Sequence, residues 1–137
     1  MKPVFADSYY FIAFLCPNDK GHKRAVHWTT ISTDHPIVTT DFVLTEVADG
    51  MSRQGRRQSF ERYYNLALKH PDIRIIPVSD ELHKRGMRMY LDHMDKEWTL
   101  TDCTSFLVMR EMNITEALTE DHHFAQAGMI PLLQQPD

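Results

Sequence analysis

The chain reads as an α/β protein, a three-layer α/β/α sandwich with a short parallel sheet, and three observations predict it. Short apolar runs alternate with longer segments of helical periodicity from one end to the other. Prolines at 17, 36, 71 and 77 fall at the joints between the two kinds of segment. Strand candidates separated by helices imply parallel pairing through right-handed crossovers.

Val4-Phe5-Ala6 reads as a buried strand with a polar exit at Asp7-Ser8, followed by an apolar segment from Tyr9 to Leu15 that Pro17-Asn18-Asp19 ends. His22 to Ile31 has one apolar stripe and reads as a helix, and Ile37-Val38-Thr39 as the second strand. Asp41 is expected to cap a helix carrying Phe42, Val43, Val47 and Ala48. Arg56 to Lys69 shows Phe60, Tyr63, Tyr64 and Ala67 at helical spacing. Ile73, Ile75 and Ile76 form the third strand, and Ser79 can cap a helix from Asp80 to Leu91. A helix is expected over Asp102 to Met112, a fourth strand over Glu116 to Thr119 and a short helix over His122 to Ala127, closed by Gly128. Ile130 to Leu133 reads as a last strand.

The length of 137 residues suits a single domain over 1–137, with no repeat and no linker. At 42% hydrophobic and 25% charged residues, with 5 glycines and 7 prolines, collagenous, low-complexity and disordered classes are excluded. Two cysteines, Cys16 and Cys103, in no metal-binding spacing, fit a reducing cytosol rather than a disulfide scaffold. Apolar runs are short and Asp7 interrupts the start, so neither a membrane span nor a signal peptide is expected.

The net charge of −4 does not by itself predict a nucleic-acid partner, but its distribution is uneven. Residues 51–90 hold nine basic and four acidic side chains, a local charge of +5 that leaves −9 elsewhere. Such a segment can hold a phosphate backbone beside an acidic pocket, or be a solvated helix surface.

Ligands of an open parallel sheet bind outside the carboxyl ends of its strands. Asp7 and Asp121 lie at such exits, Asp102 at a helix start, and Glu46 in the first turns of the helix after the second strand. Together they would form one carboxylate cluster, whose repulsion a divalent cation relieves. Oxygen-only ligands favour Mg²⁺ or Mn²⁺ over zinc, and such a cation serves phosphodiester hydrolysis. One carboxylate can also take the proton of an attacking water.

Each acid has a structural alternative. Asp7 and Asp121 can cap the helices that follow, Asp102 can pair with Thr99 in a capping box, and Glu46 can sit solvated on a helix rim. A histidine site is the rival chemistry. The adjacent His122 and His123 are expected to point to different faces of a helix, and His22/His27 and His83/His93 fit no ligand spacing. P-loop, dinucleotide-binding and GxSxG motifs are absent from the sequence.

Four segments, Phe5-Ala6-Asp7-Ser8, Thr40 to Glu46, Asp95 to Phe106 and Ala117 to Gly128, resemble the four acidic motifs of the PIN domain family, especially its short VapC-type toxins. The resemblance spans nearly the whole chain. It implies a metal-dependent endoribonuclease acting on RNA, a homodimer, and a small cognate antitoxin that enters the active-site groove. Carried over by position, Asp7, Glu46, Asp102 and Asp121 are the catalytic acids, with Asp7, Asp102 and Asp121 on the Mg²⁺ or Mn²⁺ ion. Ser8 stands where the family commonly has threonine, and Glu120 is a second candidate beside Asp121. A housekeeping ribonuclease of RNA processing and a catalytically silent RNA- or protein-binding module are the alternatives; retention of all four acids argues against the silent one.

Overall fold

The computed structural model describes residues 2–31 and 34–134. Strands β1 (Val4–Ala6), β2 (Ile37–Thr40), β3 (Ile73–Ile76), β4 (Glu116–Leu118) and β5 (Ile130–Pro131) form one parallel sheet in the order β3-β2-β1-β4-β5. Between them run α1 (Ser8–Leu15), α2 (His22–Ile31), α3 (Asp41–Gly50), α4 (Arg56–Lys69), α5 (Asp80–Asp92), α6 (Leu100–Glu111) and α7 (His122–Gln126).

The central strand is the most apolar, as covering on both faces requires: Val4, Phe5 and Ala6 are all fully buried. β2 and β3 step outward on one side of β1, whereas β4 and β5 lie on the other. With right-handed crossovers, that reversal places α1 to α4 on one face of the sheet and α5 to α7 on the other, which yields the three expected layers. It also opens a crevice between the carboxyl ends of β1 and β4.

α1 is apolar nearly throughout and buries Tyr10, Phe11 and Ala13. Tyr10 extends to α2, where its hydroxyl meets Thr29 Oγ1 at 2.7 Å. Gly21 permits a neighbouring approach, since a Cβ there would stand 2.0 Å from the Tyr9 hydroxyl oxygen. α5 and α6 meet as closely at Gly86, where a Cβ would lie 2.5 Å from Thr104 Cγ2. Phe106 of α6 packs edge-on against both Trp98 and Phe124, at centroid distances of 5.1 and 5.0 Å. Trp98 Nε1 donates to Gln126 Oε1 at 3.0 Å, which ties α7 to the approach of α6.

Several boundaries differ from the sequence expectation by a residue or two, and three of the differences have a visible cause. Asp41 does not cap α3; Thr40, still extended at φ −130° and ψ 162°, accepts the Val43 N–H at 3.0 Å, and Asp41 is already helical. α6 begins at Leu100 rather than Asp102, because Thr99 supplies the cap. β5 stops at Pro131 instead of running to Leu133; the chain turns there, with the Leu132 and Leu133 N–H groups donating to Ala117 and Thr119 carbonyls at 2.9 and 3.0 Å. Among the described residues, no helix is long and apolar enough to cross a membrane.

Candidate active site

Each predicted acid is delivered by a different element. Asp7 follows β1 directly and is 6% exposed. It occupies the N-cap position of α1 but makes no side-chain capping bond, so the capping alternative does not describe it. Its Oδ2 instead accepts the Thr119 hydroxyl at 3.0 Å. Burial first, and then the neighbouring Asp102 charge, push the Asp7 carboxyl up to about 7. Glu46 adds to that rise, while the Ser8 N–H and Thr119 oppose it.

Asp102 is the third residue of α6, equally buried, and does form the capping box: its N–H donates to Thr99 Oγ1 at 3.0 Å and its Oδ2 accepts the Thr99 N–H at 3.1 Å. The capping bond and a place in the cluster are therefore not alternatives. One oxygen serves the helix start while the carboxylate as a whole faces the other acids. Burial raises its pKa, the Thr99 bond lowers it and the Asp121 charge raises it again.

Asp121 caps α7, accepting the His123 N–H on Oδ1 at 2.9 Å, and its own N–H donates to Thr119 Oγ1 at 3.0 Å. Glu46, half-buried on α3, is close enough for its charge to act on Asp7. Hydrogen bonds through Thr119 and His123 bring Asp7, Asp121 and Asp102 together at the crevice, and the Glu46 charge acts on Asp7 from α3.

An open groove of about 430 Å³ leads to it, lined by Asp7, Ser8, Tyr9, Glu120, Asp121 and His122 among others. Glu120 is exposed there and faces Tyr9, whose hydroxyl is held protonated by burial and then by the Glu120 charge.

Two residues enter the cluster unannounced. Thr119 is fully buried, donates to Asp7 and accepts from Asp121, so it links the ends of β1 and β4. Its signal in the sequence is the Thr-x-Asp spacing, a hydroxyl two residues before a helix cap. His123 is the second: its Nδ1 lies 3.0 Å from Asp102 Oδ2 and 3.3 Å from Asp121 Oδ2. The expected divergence of His122 and His123 does not hold, since their ring centroids are 4.6 Å apart. His122 is the first residue of α7, and no preceding turn obstructs its ring from leaning alongside the next. Donor atoms of Asp121, His122 and His123 lie within 4.8 Å of one another.

The basic side chains Arg53, Arg56 and Arg57 are exposed around the turn into α4, where Gly55 has φ 90° and Arg57 Nε donates to the Ser52 carbonyl at 2.8 Å. Cys16 and Cys103 are both buried and free.

A doubly wound parallel sheet with buried carboxylates gathered at its switch point defines an α/β protein with an acid cluster at the carboxyl ends of its strands. The PIN domain family model matches residues 4–129, and the chain belongs to that family. It is 25% identical over 128 residues to the 23S rRNA-specific endonuclease VapC20 of Mycobacterium tuberculosis, covering 93% of this chain and 95% of that protein. The crystal structure of M. tuberculosis VapC20, described as a Sarcin-Ricin loop cleaving toxin, superposes with a TM-score of 0.83 at 23% identity, over 94% of this chain and 98% of that one. FitAcB from Neisseria gonorrhoeae is similar at a TM-score of 0.64 and 15% identity, over 96% of this chain and 95% of that one. VapBC2 from Rickettsia felis, bound to a DNA fragment from its promoter, is similar at 0.65 and 13%, over 96% and 97%.

Proposed function

We propose that this chain is a divalent-metal-dependent endoribonuclease, the toxin of a VapBC-type pair, with Asp7, Glu46, Asp102 and Asp121 as its catalytic acids. The observation that carries the reading is the pairing of two buried, mutually repelling carboxylates, Asp7 and Asp102, beside the half-buried Asp121. Such a set is costly without a counter-charge, and an all-oxygen donor set suits a hard cation such as Mg²⁺ or Mn²⁺. Asp7, Asp102 and Asp121 would hold it. When bound, the cation makes water a stronger nucleophile at neutral pH and neutralises charge developing on the phosphate.

The chain's own groups supply the rest. Glu46, less buried than Asp7 and at its side, takes the proton from the attacking water. Thr119 and Thr99 hold one oxygen of Asp7 and of Asp102, leaving the second oxygen of each for the cation. The open groove admits an unpaired RNA strand, and the arginines at 53, 56 and 57 engage its phosphates. A small antitoxin covering the groove, a homodimer and a cytoplasmic setting complete the reading; the buried free cysteines suit a reducing compartment. Similarity to an rRNA-specific endonuclease along nearly the full length supports RNA as the substrate class.

The test is cleavage of single-stranded RNA by the purified protein with Mg²⁺ or Mn²⁺, and its loss in EDTA. Expression in a bacterial host should arrest growth, and co-expression of a small protein encoded immediately upstream should relieve the arrest. Full cleavage in EDTA overturns the metal centre, and growth unaffected by an active nuclease overturns the toxin assignment in favour of RNA processing.

A further inference from the structure

The two histidines beside Asp121 have no part in the reaction described so far. His123 is the better placed: its side chain is 15% exposed and reaches back from α7 toward α6. Its backbone N–H donates to Asp121 Oδ1 at 2.9 Å, and its Nδ1 lies 3.0 Å from Asp102 Oδ2 and 3.3 Å from Asp121 Oδ2. Ionised carboxylates only accept, so an Nδ1 that faces two of them must carry its hydrogen there. With the Thr99 N–H on the same atom at 3.1 Å, Asp102 Oδ2 receives two N–H donors. Both donors on Asp102 come to Oδ2, and Oδ1 is left over.

We propose that His123 is a positioning residue of the acid centre: by donating from Nδ1 to Asp102 Oδ2, with Asp121 Oδ2 alongside, it turns the remaining Asp102 oxygen toward the cation. The proposal rests on the metal-dependent reading above. Its physical basis is the usual one for ligand-orienting groups, in which a fixed hydrogen bond behind the ligand removes rotational freedom before the ion arrives. His123 also sits between Asp102 of α6 and the α7 cap Asp121, bonded to the first and 3.3 Å from the second, so the two acids are held close in advance.

Calorimetric titration with MnCl₂ at constant pH tests it on four full-length proteins: the unaltered chain, His123→Ala, His123→Asn and Asp7→Asn. The asparagine amide nitrogen stands near the place of the histidine Nδ1, so it restores the donor without the ring. The expected result is Mn²⁺ affinity weakened about 10- to 100-fold in His123→Ala, most of it regained in His123→Asn, and binding lost in Asp7→Asn. Cleavage by His123→Ala should then recover at high Mn²⁺, because the half-saturating concentration moves rather than the saturated rate. Mn²⁺ binding by His123→Ala equal to the unaltered chain, with Asp7→Asn still defective, overturns the role of His123 alone. His123→Asn no better than His123→Ala, in a protein of unchanged circular dichroism, also overturns it and makes the ring itself the needed group. Failure of the unaltered chain to bind Mn²⁺ overturns the metal reading and this proposal together.

Discussion

The Thr119 hydroxyl donates to Asp7 Oδ2 at 3.0 Å, joining residues 112 positions apart in the chain at the carboxyl ends of adjacent strands. Thr119 Oγ1 also accepts the Asp121 N–H at 3.0 Å, so one buried hydroxyl orients the first acid and the last. Thr119→Val keeps the shape and deletes both bonds. Stability should fall by about 1–3 kcal/mol, because a buried carboxylate and an amide lose their partner at once. Thr119→Ser should retain most of the stability and activity, as compared by urea denaturation and RNA cleavage.

Asp7→Asn and Asp102→Asn should each lower cleavage by more than about 100-fold, beyond what loss of an orienting partner alone costs. The fold should persist, since the amide introduced by Asp102→Asn still offers an oxygen to the Thr99 N–H and position 7 makes no side-chain capping bond. Cleavage assays with thermal melts of the same samples separate the two effects. A variant that is unfolded and inactive would mark that acid as structural.

Stability without metal should depend on pH through Asp7. Its folded pKa is raised from 3.8 to about 7 by burial and by Asp102, so folding favours the protonated form. The associated stability is fully present below the unfolded value and is lost as pH rises through the folded one, between about 4 and 7. In EDTA, the melting temperature should therefore fall over that window, less so in Asp7→Asn. Added Mg²⁺ or Mn²⁺ should restore stability on the alkaline side, where the carboxylate is ionised and the cation binds only the folded state. A slope identical in Asp7→Asn would assign it to other groups.

Replacing Arg53, Arg56 and Arg57 with alanine should weaken RNA binding for all sequences alike and flatten its salt dependence. For a single strand, each lost phosphate contact reduces the slope of log K against log salt by about 0.7. The cleavage sequence should stay the same, because phosphate contacts carry no base identity. Filter binding at several salt concentrations measures it. An unchanged slope with a changed sedimentation mass or lost antitoxin binding would place these side chains in a protein interface instead.

The class of fold was legible in the amino-acid order, and so was the meeting of Asp7, Asp102 and Asp121 at one edge of the sheet. Val4-Phe5-Ala6 and Ile37-Val38-Thr39 declare strands because burial on both faces demands uninterrupted apolar runs, and breakers between periodic segments declare the crossovers. Acids at strand exits could be placed at one edge of the sheet because parallel topology sends every carboxyl end the same way. Local rules also located the Thr99–Asp102 capping box, whose partners are three residues apart.

Contacts between distant segments were decided only by tertiary structure. The strand order, with β4 beside β1 rather than β3, creates the crevice, and no local pattern encodes which edge a crossover joins. The partners of Asp7 and Asp102, Thr119 and His123, are 112 and 21 residues away, beyond any helical or strand period. The expectation that His122 and His123 diverge applied helix geometry to a helix end, where the first side chain has no preceding turn to constrain it. Local propensity specifies elements because neighbours along the chain determine backbone dihedrals. A buried carboxylate's hydrogen-bond donor is set instead by which elements pack together, and that is resolved only when the core closes.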